Sequence, residues 1–483
     1  MYKSLRNIIF ITGIFSSIFV FLMFIPVVVN CYAGYPWQSF FCACFITLLF
    51  SLICILYGKL SRVKKQEIFF ITVSVWIILS IISAIPFMFD AKISYVNALF
   101  ESVSGLTTTG ATILTDLHNK SPGILLWRCL LNAIGGLGII MTGIFLFPCL
   151  KVVGLYELYR SESSDNSKGF KYGIVKSSMY VFIIYCIFIV LCAILYLMAG
   201  MSGFDAICHA MSTVSTGGFS NYDDSLQHFN NVYIEIIAIV FMLLSSCPFI
   251  MYLKMVTKQC FYDEQVILFA IILLFFSILS VVVSCYDKVL SSYSFFNILR
   301  YSVFSVVSLS SSTGFVNYDY NNWCFFSVVG MVLMLMGGCS GSTNSGIKIY
   351  RIGLLFKAIN CYTSGLVHSD KTVLIRYGRK CMDNVAISNI GLFFILYIFI
   401  LFVGCILVSI SGVDVVTAFS AVAATFSNTG PGIGNIIGPQ YNYYSLLPSV
   451  KLLLSFLMLM GRLEIMPFYV CIYLIVHNIF KFK

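Results

Sequence analysis

Four stretches of this 483-residue chain hold the side chains best suited to chemistry: "TTTGAT" at 107–112, "STGGFS" at 215–220, "SSSTGF" at 310–315 and "SNTGPG" at 427–432. Each is a cluster of small hydroxyl or amide residues closed by a glycine: Gly110, Gly217, Gly314 and Gly430. Hydroxyl and backbone carbonyl oxygens can replace part of a cation's hydration shell without adding fixed charge. Glycine reaches strained backbone angles and lets carbonyls come close. One such stretch alone reads as a polar loop or a helix cap. Four in like settings point to oxygen ligands gathered for a monovalent cation.

Their surroundings say where these stretches sit. The chain is 60% hydrophobic and 10% charged, with a mean hydropathy of +0.96, too few charges to cover a soluble surface of this size. A helix needs about 20 apolar residues to cross a bilayer. Ten runs qualify, near 8–29, 38–57, 67–89, 123–150, 177–200, 232–253, 265–286, 323–347, 385–411 and 448–472. Every polar stretch lies between two of these runs and follows an apolar segment of about 10–15 residues, too short to cross. The spacing predicts a re-entrant half-helix and a polar turn in each copy. Non-helical backbone at membrane depth needs protein or a watery cavity around it, and half-helix C-termini aimed at a pore centre favour a cation.

The expected fold is therefore all-α and membrane-integral, with four pseudo-symmetric units of span, pore helix, filter turn and span around a central pore. Two extra N-terminal helices occupy 1–65, and the four pore units occupy 66–165, 166–260, 261–380 and 381–483.

Placing the N-terminus inside gathers most of the 29 Lys and Arg on one side, from Lys3 and Arg6 through the loop from Lys348 to Lys380 to Lys481 and Lys483. Only Lys92, Lys120, Lys288 and Lys451 fall near the outer face. This is the positive-inside pattern, so both termini are expected in the cytoplasm. The net charge of +10 records orientation and offers no nucleic-acid patch. The first run is too long for a signal-peptide core and lacks a small-residue cleavage site, so it reads as a retained span. The 18 cysteines include no C-x-x-C and mostly lie inside apolar runs, where cysteine behaves as a small hydrophobe.

Two features interrupt spans. "GGCSGSTNSG" at 337–346 is too rich in Gly and Ser to continue a helix. It is either a plain helix end before Lys348 and Arg351 or an intramembrane loop. Arg462 lies inside the last run, where an arginine must face a cavity or a partner; Glu464 is on another helical face and poorly placed to pair with it. Arg462 reads either as an ion pair to another helix or as an electrostatic barrier below the turns. Glu101 is expected to hold the first turn or to face the outer vestibule. Asp205 and Asp414 are expected to cap their half-helices, His209 to be a satisfied core residue, and Arg300 to have a partner that the sequence does not name. A membrane-embedded enzyme would need a constellation such as H-E-x-x-H, paired carboxylates or an activated nucleophile, and five scattered histidines supply none; no ATP-binding G-x-x-x-x-G-K-[ST] is present either. A purely structural or receptor protein leaves the four turns without a reason.

With "RCLLNAIGGLGII" at 128–140, "GGCSGSTNSGIKIYR" at 337–351 and "GRLEI" at 461–465 added to the four turns, the whole chain resembles the membrane subunit of Trk-type potassium uptake systems. That superfamily includes the Ktr and plant HKT transporters, and the two extra N-terminal spans favour the Trk-type branch. The resemblance implies potassium uptake across the cell inner membrane through a gated, channel-like pore, with K+ as bound substrate and no organic cofactor in this chain. It implies filter residues Thr108, Thr109 and Gly110; Ser215, Thr216 and Gly217; Ser312, Thr313 and Gly314; and Asn428, Thr429 and Gly430. Asn428 departs from the Ser/Thr pattern in a way the family tolerates. A gate is implied at Gly337, Gly338, Gly341, Ser342, Thr343 and Gly346, with Arg462 below the filter. A serine at the first filter glycine goes with sodium permeation in this superfamily; Gly110 supports potassium, with a sodium-permeable member as the alternative. The resemblance also implies a homodimer in membrane lipid and a cytosolic nucleotide-binding regulatory subunit, for which the basic segments 151–176 and 348–380 offer a docking face.

Overall fold

The computed structural model describes residues 2–61, 65–150, 167–256, 263–286, 293–321, 323, 325–368, 375–377, 380–382 and 384–480. Most of the basic docking candidate at 151–176 lies outside them. Helix α1 (Tyr2–Tyr32) packs on α2 (Gln38–Tyr57) through small residues: Gly13 sits against Cys54 and Ile55, and Ser51 Oγ donates to Gly13 O at 2.9 Å. Close approach of this kind drives helix pairing where lipid removes the hydrophobic effect.

Next come α3 (Lys65–Ser83), short α4 (Ile85–Phe89), α5 (Tyr95–Leu106) and α6 (Pro122–Leu150). They are followed by α7 (Ser167–Met198), α8 (Gly203–Val214), α9 (Val232–Ser246) and α10 (Phe249–Val256). The third group is α11 (Glu264–Tyr286), α12 (Phe295–Ser310), α13 (Met331–Leu335) and α14 (Ile349–Val367). The last is α15 (Asn384–Ser409), α16 (Val415–Phe426), α17 (Pro448–Arg462) and α18 (Ile465–Phe480). Departures from helix and loop among the described residues are a two-residue antiparallel ribbon, Arg376–Tyr377 with Lys380–Cys381, and a single bridge from Met336 to Ile347.

Among the described residues, seven helices are long and apolar enough to cross a membrane, against the ten runs expected. The other three runs break, each for a local reason. Helices α9 and α10 meet at 88° because Pro248 follows Cys247, whose ψ is 155°. Proline has no N–H to continue the helix and pushes the residue before it into extended backbone. Helices α17 and α18 meet at 105°, with Glu464 at φ 63°. Pro467 falls in the first turn of α18, where a missing N–H is tolerated, but it would have broken a continued α17. The eighth run opens with a π-helical turn at Phe326–Gly330 and stops at Leu335, before the Gly- and Ser-rich segment.

The long helices turn apolar faces outward. On α11, Ile271, Leu274, Phe275 and Ile278 are exposed, while Phe269 and Leu273 are buried. Such a face is a liability in water and ordinary lipid contact in a bilayer. The chain is a multi-pass membrane protein.

Candidate functional site

Helices α5, α8, α12 and α16 are the four half-helices, and all end alike. Thr107, Ser215, Ser311 and Ser427 follow their last residues. The next residue is left-handed in every copy: Thr108 (φ 51°), Thr216 (54°), Ser312 (50°) and Asn428 (57°). Two residues on, a glycine is left-handed again: Gly110 (81°), Gly218 (72°), Gly314 (77°) and Gly430 (96°). A non-glycine residue in this region costs on the order of 1–3 kcal/mol, so four matching instances mean the surroundings impose the shape.

The glycines close a ring. A Cβ on Gly110 would lie 2.5 Å from Gly217 O, and one on Gly218 would lie 2.0 Å from Thr313 O. On Gly314 it would lie 1.9 Å from Thr429 O, and on Gly430 2.4 Å from Thr109 O. Each turn thus abuts the next, and the fourth returns to the first. The four glycines border one funnel, and the polar residues beside them, from Thr108 to Thr429, are buried.

The ring corrects the register of the second copy. Gly218, not Gly217, matches Gly110, Gly314 and Gly430; Gly217 matches Thr109, Thr313 and Thr429, and Ser215 matches the helix-capping position. A signal for this was present. In the second and third copies the matching glycine precedes a phenylalanine, Phe219 or Phe315.

Side-chain oxygens mostly serve the turns themselves. Thr109 Oγ1 lies 2.7 Å from Thr107 Oγ1, Thr313 Oγ1 lies 2.8 Å from Ser311 Oγ, and Thr429 Oγ1 lies 2.9 Å from Ser427 Oγ. Asn428 Nδ2 donates to Thr109 Oγ1 at 2.9 Å and to Met458 O at 3.0 Å. The residue that breaks the Ser/Thr pattern therefore ties the fourth turn to the first and to α17.

Charged residues brace the turns from behind. Glu101 on α5 pairs with Arg128 on α6 at 2.8 Å, both sealed from solvent, and accepts Ile113 N at 2.9 Å. Of its two expected roles, Glu101 has the loop-holding one. Arg300 finds Glu235 at 2.6 Å, and Lys451 donates to Asn97 Oδ1 at 2.9 Å. Asp414 caps α16 by accepting Thr417 N at 3.0 Å, and hydrogen bonds from Thr417 hold its carboxyl below the usual range. Helix α8 departs from expectation: Ser202 caps it, and Asp205 instead accepts from Asn221 and Tyr222 at 2.8 and 3.0 Å. His209 is satisfied in the core, 2.8 Å from Asp205 O and 3.0 Å from Ser220 Oγ.

Segment 337–346 is a folded loop pressed against the turns. Ser345 N donates to Ser312 Oγ at 3.1 Å, and Thr216 Oγ1 to Thr343 Oγ1 at 3.2 Å. Gly337 N donates to Ile347 O at 2.9 Å to close the neck, and a Cβ on Gly337 would lie 1.9 Å from Ser345 O. Gly341 and Gly346 take φ of 80° and 74° at the bends. Gly338 packs on Asn344, and Ser342 Oγ donates to Cys339 O at 2.6 Å. The break after α9 matters here. Cys339 N and Thr343 N donate to Ser246 O and Ser245 O, at 3.0 and 3.3 Å, carbonyls at a helix end that needs partners.

Arg462 fastens the loop from α17. Its Nη1 donates to Thr343 O at 2.8 Å and Ser345 Oγ at 2.9 Å, and Nη2 donates to Gly135 O at 3.1 Å. Neutral oxygens hold its charge; the nearby carboxylate, Glu464, pairs with Arg351 at 2.5 Å. Among the described residues, the ion pair weighed for Arg462 is not formed.

Membrane-crossing helices around four half-helices that converge on a ring of carbonyls define a pore-type transport protein. The family model for TrkH, cation transport protein, matches residues 38–478, and the chain belongs to that family. It is 33% identical over 475 residues to the Trk system potassium uptake protein TrkH of Halomonas elongata, covering 96% of this chain and 97% of that one. The Escherichia coli K12 protein of the same name is 33% identical over 414 residues, 84% of each chain. The crystal structure of the potassium transporter TrkH from Vibrio parahaemolyticus superposes with a TM-score of 0.87 at 29% identity, over 97% of this chain and 98% of that one. This is a family of transporters, not of enzymes, so the embedded-enzyme alternative falls away.

Proposed function

We propose that the chain takes up K+ across the cell inner membrane through the ring of four turns, with the funnel outside and loop 337–346 and Arg462 as the gate on the inner side. The observation that carries this reading is the closed cycle of glycine–carbonyl contacts from Gly110 through Gly218 and Gly314 to Gly430. The carbonyls of Thr109, Gly217, Thr313 and Thr429 are the first candidates for ion ligands. Four half-helix C-termini, each carrying about −0.5 of an elementary charge, add a field that favours a cation. The relatives are potassium uptake proteins by name, which supports K+ over Na+ as cargo. The same reading takes 1–65 as an N-terminal helix pair and 66–165, 166–260, 261–380 and 381–483 as the pore units. It also takes the protein as a homodimer with a cytosolic nucleotide-binding partner on its basic face.

Uptake of K+ or Rb+ by cells lacking their own uptake systems tests the cargo. Wild-type chain should restore uptake with K+ strongly preferred over Na+. Gly110→Ser should lose that preference by roughly tenfold, about 1.4 kcal/mol, because a side chain 2.5 Å from Gly217 O must push the ring apart. Equal K+ and Na+ uptake by the wild type would select the sodium-permeable alternative.

A further inference from the structure

We infer that the Arg128–Glu101 pair sets ion selectivity as a positioning unit, by locking the first two turns of the ring to each other. The inference rests on reading the ring as an ion filter. Glu101 holds the chain just past Gly110: it accepts Ile113 N at 2.9 Å and the Thr112 hydroxyl at 3.0 and 3.2 Å. Arg128 holds the same chain and the next. Its Nη2 donates to Thr112 Oγ1 at 3.2 Å, and its Nη1 donates to Ser220 O at 2.8 Å, two residues past Gly218. The guanidinium also lies 4.1 Å over the ring of Phe219. A single buried pair thus fixes the two segments that flank the contact of Gly110 with Gly217 O.

The other junctions are built differently. Between the third and fourth turns, Asn321 Oδ1 accepts Gly434 N at 3.1 Å, and between the fourth and first, Tyr443 N donates to Thr112 O at 2.9 Å. The second-to-third junction has the looser relative, Arg300 with Glu235, where the arginine is 17% exposed and reaches Asn317 only through the glutamate. A planar guanidinium holds several acceptors in fixed directions; a lysine ammonium is a single point of charge. Whether K+ is chosen by cavity size or by carbonyl field, the carbonyls must be held in place.

Charge separates this role from mere stability. The pair is neutral as built, and Arg128 borders the funnel. Glu101→Gln leaves an uncompensated cation beside the incoming ion's path; Arg128→Gln does not.

The test is K+ and Na+ uptake by the full chain in cells lacking their own systems, with membrane levels matched by immunoblot. Arg128→Gln and Arg128→Lys should each relax K+/Na+ discrimination by about tenfold, the equivalent of ~1.4 kcal/mol. The KM for K+ should rise in Glu101→Gln and fall back in the Glu101→Gln/Arg128→Gln double variant, with discrimination still relaxed. Arg300→Gln, whose pair is partly exposed, should relax discrimination by a clearly smaller factor, under about threefold. If Arg128→Gln fails to reach the membrane, Arg128→Lys, which keeps the charge, decides. Discrimination within twofold of wild type in Arg128→Lys overturns the inference, as does an equal loss in Arg300→Gln. A wild-type chain that does not itself discriminate K+ from Na+ overturns the filter reading instead.

Discussion

Gly217 and Gly218 are neighbours in sequence with different neighbours in space. A Cβ on Gly218 would come within 2.0 Å of a backbone carbonyl, Thr313 O, at a φ of 72° that a side chain resists. A Cβ on Gly217 would meet the side chain of Asn132 at 2.4 Å, which can turn aside more cheaply than a backbone. Gly218→Ala should therefore lower K+/Na+ discrimination by at least about tenfold, and Gly217→Ala should keep most of it, in uptake competition at matched membrane levels. The reverse order would restore the register that the sequence suggests. Much of this site was legible because hydroxyl residues and glycine are out of place in so apolar a chain. The register was legible only through the phenylalanine after the matching glycine, Phe219 or Phe315, since either glycine of "STGG" can take a positive φ and the carbonyl of the next turn is what decides between them. Arg128 was illegible for a related reason: its partners lie 27 and 92 residues away in the chain.

Among the elements, the half-helices follow from their length, but hydropathy alone does not register where a span breaks. Runs 232–253 and 448–472 read as continuous, although Pro248 and Pro467 stood in them as warnings. The breaks have a use, because both converge on the loop at 337–346. One frees Ser245 O and Ser246 O to receive it, and the other leaves Arg462 at the end of α17 to hold Thr343 and Ser345. Hydrogen bonds from a charged donor each contribute about 1.5–3 kcal/mol, so Arg462 keeps the loop in place as well as setting a positive charge beside it. Arg462→Ala removes both effects and should raise cation flux several-fold, read as Rb+ efflux from proteoliposomes of the purified chain. Lower flux at normal expression would reassign the residue to structural support.

At the scale of the whole molecule, the half-helices dip and return, so the spans alone determine which side each loop occupies. The bent pairs α9–α10 and α17–α18 then count as one span each, and with the broken eighth run, α13 and loop 337–346, counted as another, the proposed topology puts the basic segments on one face and the funnel on the other. Positive charge resists transfer across the bilayer, so the proposed topology assigns that face to the cytoplasm. Epitope tags inserted in the full chain after Asn119, Asn230 and Tyr441 should accordingly bind antibody on intact spheroplasts. Tags after Lys380 and Lys483 should bind only after permeabilisation. The tag after Asn230 is the most informative, since a cytoplasmic reading there would mean that α8 crosses the membrane, and a crossing α8 cannot bring Gly218 to Thr313. A tag after Lys380 that is reached from outside would put the basic loop on the wrong side for a cytosolic nucleotide-binding partner and remove the docking face with it.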